Sequence, residues 1–360
     1  MINQGLFPIV EVSGTPREIG KTYGAAVKAQ IDVSIETYRE MFMTYSGVSW
    51  EAAQKYAATF IPVITEYDPD IMEEIRGVAE GSGYKLEEIL ALNVRSEIVL
   101  QGGLIDGCTS FALTPRVTVN GESWIAQNWD WKIRQRKAYV LLRIHQAAPK
   151  PDINLFTEAG IVGKLGFNSA GIGVCLNALA SDVKLDVPTV PLHIVLRGIL
   201  NSNTLSDVIA VVGKMPLACC ANFLVGHSNG EAITIETGPG DFDVIYADEG
   251  YVTHTNHFTS HRLAKFKDTG KMAFPDSFLR YGRIKQMLRD CTKPIGLADI
   301  QNMLRDHIDY PDGICRHEDQ LDPEGKRMGT VFSIIMNLSR RELYITPGNP
   351  CDTPYYMYKL

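Results

Sequence analysis

No run of apolar residues approaches the ~20 that span a bilayer, which excludes a helical integral membrane protein. An excess of positive charge is also missing. Lys and Arg number 35 against 42 Asp and Glu, for a formal net charge of −7. That balance argues against nucleic acid or an anionic membrane as the main partner. Cysteine is sparse and odd in number, seven in 360 residues, which fits reduced thiols better than a disulfide framework. Met1–Gly5 lack the basic stretch and long apolar stretch of a secretory signal, so a cytoplasmic location is expected. Neither a Walker loop nor a G-x-G-x-x-G opening a helix is present, and no nucleotide cofactor is expected. His254, His257 and His261 lack an accompanying C-x2-C or H-E-x2-H. They are read as loop histidines rather than ligands, and no metal is expected.

What is present supports a large core: 45% of the residues are apolar and 21% charged. The length suits two ordinary domains or one large layered one. The first hundred residues read as helical. Thr15-Pro16-Arg17-Glu18 is a capping box with proline at the first helical position. Apolar residues then recur in steps of three and four from Ile19 to Tyr45, and further helices are expected near Ser49, at Asp68-Pro69, and over 86–100. Gly81, Gly83, Gly102 and Gly103 punctuate this region. Near residue 104 the character changes. Strands are expected over 123–131, 138–145, 153–157, 172–176, 223–225, 232–236, 244–246, 330–337, 342–346 and 354–358. Helices are expected over 191–200, 205–212, 277–290 and 296–307.

Gly226-His227-Ser228-Asn229-Gly230 matches a G-x-S-x-G nucleophile elbow, but an alternating strand pattern follows it instead of a helix. Asn229-Gly230 reads better as a hairpin turn. Cys219-Cys220 reads as two small core residues, and Cys175, Cys291, Cys315 and Cys351 carry no reactive context. Cys108 is different. It lies in Asp106-Gly107-Cys108-Thr109, where the helical third meets the β-rich remainder. Its thiol could attack the Gly107 carbonyl and shift the acyl group from nitrogen to sulfur, so that water would leave a new N-terminal Cys108. That residue would hold a nucleophile and, in its α-amine of pKa about 7.7–8.0, a base.

Asp106-Gly107-Cys108-Thr109 is followed in order by Gln127-Asn128-Trp129-Asp130, Thr157-Glu158-Ala159-Gly160-Ile161, Gly163-Lys164 and Gly166-Phe167-Asn168-Ser169-Ala170-Gly171. His254-Thr255-Asn256-His257 and Ile314-Cys315-Arg316 come later, and Leu92-Asn93 and Arg95 stand before them. Together these strings resemble the acyl-coenzyme A:6-aminopenicillanic acid (isopenicillin-N) acyltransferase family of self-processing N-terminal nucleophile (Ntn) cysteine hydrolases.

The resemblance implies an α+β fold, a four-layer αββα sandwich with a helical N-terminal segment. It implies autocleavage between Gly107 and Cys108, giving a helical α chain (1–107) and a catalytic β chain (108–360) held together as a heterodimer. It further implies cleavage of a small N-acyl or aminoacyl amide through a Cys108 thioester. The acyl group would pass to water or an amine, with acyl-coenzyme A a candidate donor. By resemblance Cys108 is the nucleophile, Asp130 holds the new α-amine, and Asn256 donates to the oxyanion. Asn177 is a second polar group near that oxygen, and Arg316 an arginine close to the thiol. The chain departs from the fungal pattern in a longer Cys108–Asp130 spacing, and in a C-terminus, Met357–Leu360, that is not a clean peroxisomal signal. The competing expectation is a non-catalytic relative that keeps the sandwich and stays uncleaved.

Overall fold

A computed structural model describes residues 6–101, 107–183, 185 and 187–359. Met1–Gly5, Gly102, Gly103, Asp106 and Leu360, on which some of these expectations fall, lie outside them. The helices begin where the caps are written. Before α1 (Pro16–Ala26), the Glu18 carboxylate accepts the Thr15 N–H at 2.8 Å, and the Thr15 hydroxyl accepts the Glu18 N–H. Ser49 caps α3 (Trp50–Ala58), and Asp68 caps α5 (Pro69–Ser82), which stops at Gly83 with φ of +76°.

Two long apolar repeats prove to be broken helices. The first divides at Val27 into α1 and α2 (Lys28–Met41), with a π-turn over Phe42–Ser46. The second divides at Val94 into α6 (Leu86–Asn93) and α7 (Arg95–Gln101). The segment also holds α4 (Ile61–Tyr67) and a strand, β1 (Ile9–Ser13), neither of which its sequence pattern announced.

The remaining strands are β2 (Gly107–Leu113), β3 (Trp124–Trp131), β4 (Tyr139–His145), β5 (Ile153–Glu158), β6 (Leu165–Asn168) and β7 (Ile172–Ala178). Helices α8 (Leu192–Leu200) and α9 (Leu205–Gly213) follow, then β8 (Ala221–His227), β9 (Ala232–Gly238), β10 (Asp241–Tyr246) and β11 (Tyr251–His254). The chain continues through α10 (Gly270–Ala273), α11 (Asp276–Asp290) and α12 (Leu297–Leu304) to β12 (Gly329–Asn337), β13 (Glu342–Ile345) and β14 (Tyr356–Lys359).

The described strands form two sheets. One runs β1-β4-β5-β6-β7-β8-β9-β10, and the other β11-β2-β3-β12-β13-β14. They face each other where β2 and β3 cross β7 and β8. Helices α2 and α8 cover the outer face of the first sheet, and α11 and α12 that of the second. This is the expected αββα sandwich. The central strands β2, β3, β7 and β12 are buried along their whole length, so they show no clean alternation, and β3 carries Gln127, Asn128 and Asp130 inside.

The N-terminal segment does not stand apart. Strand β1 lies parallel to β4, pairing Ile9 with Leu141 and Ser13 with His145. A fully buried polar cluster adds to that hold. The Glu158 carboxylate meets Lys164 Nζ at 2.9 Å, Arg95 Nε at 3.3 Å, and the Tyr38 and Tyr139 hydroxyls at 3.0 Å each. Burial would raise this carboxyl, but Arg95 and Lys164 outweigh burial and hold it down at about 2.

Glu158→Gln removes the counter-charge that both cations face. A loss of about 3–5 kcal/mol of stability is expected, read as a lower urea midpoint at neutral pH. The folded carboxyl lies below its unfolded value, so its contribution is present above the ordinary carboxylate range and drains away as pH falls toward about 2. The gap between variant and wild type should therefore narrow in acid.

Candidate active site

Strand β11 stops at His254, opposite Ser110 on β2. Two residues further back, at Cys108, that edge of β2 has no strand beside it among the described residues, and side chains take the backbone polar groups instead. Asn256 Oδ1 accepts the Cys108 N–H at 2.8 Å. The Cys108 carbonyl accepts from Arg280 Nη1 at 2.7 Å and from Asn177 Nδ2 at 3.3 Å. The Asn256 amide is oriented by its partners. Its oxygen also accepts from Arg280 Nη2 at 3.1 Å, and its nitrogen donates to the Ala178 carbonyl at 3.2 Å.

On the other side, the register places Gly107 across from Asp130 and Cys108 across from Trp129. Asp130 is fully buried. Its Oδ1 accepts the Thr330 hydroxyl at 2.7 Å. Its Oδ2 has no hydrogen-bond partner among the described residues and faces Arg316 Nε at 3.4 Å. A β-carbon at position 107 would lie 2.9 Å from that oxygen and 3.0 Å from Arg316 Nε, so the junction accepts only glycine without a shift. Burial pushes Asp130 up to about 6 against the pull of Arg316 and Arg280.

Arg316 continues the charge chain. Its Nη2 pairs with Asp276 and its Nη1 with Asp312. Asp276 in turn takes Arg280 Nε at 2.8 Å. Although burial would raise Asp276, the two arginines more than offset it and hold it below its ordinary value. Asn177 belongs to a polar layer between the sheets, where its Oδ1 accepts from Ser110 Oγ at 2.6 Å and Asn222 Nδ2 at 3.2 Å.

The structure thus brings Gly107, Cys108, Asp130, Asn177, Asn256 and Arg316 together. Arg280, Asp276 and Thr330 join them unannounced. Arg280 had a legible signal, because Ser277, Arg280, Ile284 and Leu288 share the buried phase of α11, where a charge is out of place. Other candidates fall away. The string around Ser228 turns from β8 directly into β9, which is the hairpin its sequence suggested. His254 bonds Glu236 at 2.8 Å and His257 bonds Ser277 at 2.8 Å, and neither shares a metal-binding group with His261 among the described residues.

A cleft of about 480 Å³ opens beside Asp276 and Arg316. Tyr45, Phe274, Leu279 and Met328 give it apolar walls, and Asp309, Asp312, Asp319 and Asp322 an acidic rim that Lys326 offsets only in part.

The family model for acyl-coenzyme A:6-aminopenicillanic acid acyl-transferase matches residues 117–352. The chain belongs to that family. The 40 kDa form of acyl-coenzyme A:6-aminopenicillanic-acid-acyltransferase from Emericella nidulans is 32% identical over 356 residues, covering 96% of this chain and 94% of that protein. Among solved structures, a variant of the conjugated bile acid hydrolase from Clostridium perfringens is 13% identical with a TM-score of 0.49, covering 70% of this chain and 97% of its own. The penicillin V acylase from Agrobacterium tumefaciens is 13% identical with a TM-score of 0.47, covering 70% and 86%. Among the described residues no helix is long and apolar enough to cross a membrane.

Arg316→Met leaves Asp130 and Asp276 buried without the cation they share, at an expected cost of about 3–5 kcal/mol at neutral pH. Losing Arg316 lifts the Asp130 carboxyl further above its wild-type value of about 6, so the penalty should shrink as pH falls toward about 6, where the variant is already protonated. Urea midpoints of variant and wild type on either side of that pH would test this.

Proposed function

We propose that this chain is an autoprocessing cysteine enzyme that cuts itself between Gly107 and Cys108, then transfers or hydrolyses the acyl group of a small amide. One observation carries the proposal. The buried Asp130 oxygen without a hydrogen-bond partner faces Gly107, while Asn256, Arg280 and Asn177 hold the nitrogen and carbonyl of Cys108. Such a concentration of buried charged and polar groups on one peptide junction is the mark of a functional site.

In self-cleavage the Cys108 sulfur attacks the Gly107 carbonyl carbon. The bond from that carbon to the Cys108 nitrogen breaks, and the thiol proton ends on the nitrogen. Asn256 Oδ1 already orients that leaving nitrogen through its N–H. Water then hydrolyses the thioester, leaving a carboxylate on Gly107 and a thiol on Cys108. Asp130 faces the space Gly107 vacates and favours the ammonium form of the new α-amine. In turnover the same thiol attacks a substrate amide, the α-amine passes a proton to the leaving amine, and the acyl-thioester goes to water or an acceptor amine. Arg280 and Asn177 hold the Cys108 carbonyl, and Asn256, the oxyanion donor by resemblance, directs its Nδ2 to the Ala178 carbonyl and would have to turn from it to serve. Arg316 acts on the carboxylates rather than as an oxyanion donor, fixing Asp130.

The acidic rim favours an amide carrying an amino group. Acyl-coenzyme A, which is consistent with the family, is the donor to test beside it. Aminoacyl amides are therefore the substrates to try first.

The test is the intact mass of wild type beside Cys108→Ala. Wild type should yield pieces 1–107 and 108–360 with Cys108 as a new N-terminus, and the variant should stay whole. In the cleaved enzyme, Asp130→Asn should lower amide turnover about 10²–10⁴-fold, because the new α-amine loses the carboxylate that orients it for proton transfer. A wild-type chain that stays whole, with a Cys108 thiol no more reactive than a buried one, would make this a non-catalytic binding relative.

A further inference from the structure

Cys315 and Cys351 carry no reactive context in the sequence, but the fold brings both to one point with two histidines. His307, Cys315, His317 and Cys351 come from three separate stretches: the turn after α12, the segment leading to β12, and the turn before β14. One ligand atom of each lies within 4.8 Å of all the others. Cys315 Sγ is 3.6 Å from Cys351 Sγ, and His307 Nε2 is 3.1 Å from His317 Nε2. His317 Nε2 is 3.8 Å from Cys315 Sγ and 3.5 Å from Cys351 Sγ.

These separations can be set against a tetrahedron. With metal–sulfur bonds of about 2.3 Å and metal–nitrogen bonds of about 2.0–2.1 Å, its edges are about 3.8 Å for S···S, 3.5 Å for S···N and 3.3 Å for N···N. Four of the six edges agree to within about 0.3 Å, and the two from His307 to the sulfurs, which lie within 4.8 Å, would close by a turn of the exposed His307 side chain on binding. A disulfide does not account for the arrangement, because its sulfurs stand about 2.05 Å apart.

We propose that His307, Cys315, His317 and Cys351 form a structural zinc site of the Cys2His2 type. Two thiolates and two imidazoles select Zn²⁺ over the oxygen-preferring Mg²⁺ and Ca²⁺. Two thiol protons pass to solvent on binding, so the dication and two thiolates sum to a neutral centre. All four positions are filled by protein, which leaves no place for substrate and makes the site structural. An outer shell is present as well. Asn349 Nδ2 approaches Cys315 Sγ at 3.5 Å and donates to the Arg316 carbonyl at 2.7 Å.

The site also bears on the reactive junction, because Arg316 stands between two of the ligands. Cys315 and His317 reach the cluster on one side of the chain, and the Arg316 guanidinium reaches Asp130 on the other. A metal there would fix the backbone from which Arg316 extends.

The test uses the full-length protein, purified under reducing conditions, and does not depend on the cleavage chemistry. Metal analysis of wild type should find one zinc per chain. Demetallated protein titrated with Co²⁺ should show the intense visible bands of tetrahedral cobalt and a thiolate-to-cobalt charge-transfer band in the near ultraviolet. His307→Gln and Cys351→Ser replace exposed residues. Each should weaken Co²⁺ binding by more than the roughly 10–100-fold that loss of an outer-shell partner costs. Cys351→Ser should also diminish the charge-transfer band. Wild type without zinc and without a charge-transfer band would overturn the proposal. So would variants that bind as tightly as wild type, or a Cys315–Cys351 disulfide in the reduced preparation.

Discussion

A side chain at position 107 would have to displace a buried ion pair. The β2–β3 register sets Gly107 against a buried carboxylate, and a β-carbon would press on both Asp130 and the arginine that neutralises it. The rest of the centre follows from this. A carboxylate this deep needs a cation, and Arg316 supplies it. Arg316 needs further anions, and Asp276 and Asp312 supply them. Asp276 is shared with Arg280, whose remaining nitrogens reach Cys108 and Asn256. Alternating charge therefore runs from one side of the Gly107–Cys108 junction round to the other. Buried ion pairs of this kind are weak evidence for stability, because well-packed apolar side chains often serve a fold as well. A continuous chain of them ending on one peptide bond makes sense as positioning.

Much of this was legible from the chain alone, for physical reasons that differ by element. Caps at Thr15, Ser49 and Asp68 are local hydrogen bonds and can be read as such. The interruptions at Val27 and Val94 cannot, because both are buried valines in apolar phase with no glycine or proline beside them. Strand β2 carries the candidate nucleophile yet was not delimited. Buried on both faces, it shows no alternation to detect. Cys108, Asp130, Asn256, Asn177 and Arg316 were reached through the order of short strings shared with a family, not through periodicity. Arg280 is legible only in its phase on α11, because as one arginine in a charged helix it has no motif around it. The pairing of Cys315 with Cys351 lies at the far extreme. Residues 36 apart in sequence meet only because β12, β13 and the turn after them fold back on the segment that leads into β12.

The N-terminal segment and the remainder share one sheet and one buried charge cluster. Strand β1 adds its parallel edge to β4, and Tyr38 and Arg95 reach Glu158 from two different helices. These contacts bury polar groups that would be left unmatched if the segment were to leave. They would hold two pieces together if the backbone between them were opened.

That interlocking has a consequence for the molecule's history. In an uninterrupted chain, β1 meets β4 as an intramolecular event, at a cost that grows only slowly with the length of the intervening loop. After a cut at Gly107, the same pairing becomes a second-order encounter between separate molecules, governed by concentration and the competing aggregation of each half. The cut form would then persist because it comes apart slowly, not because it can readily re-form. The single chain would serve as the template for an assembly that, once undone, cannot be rebuilt by the same route.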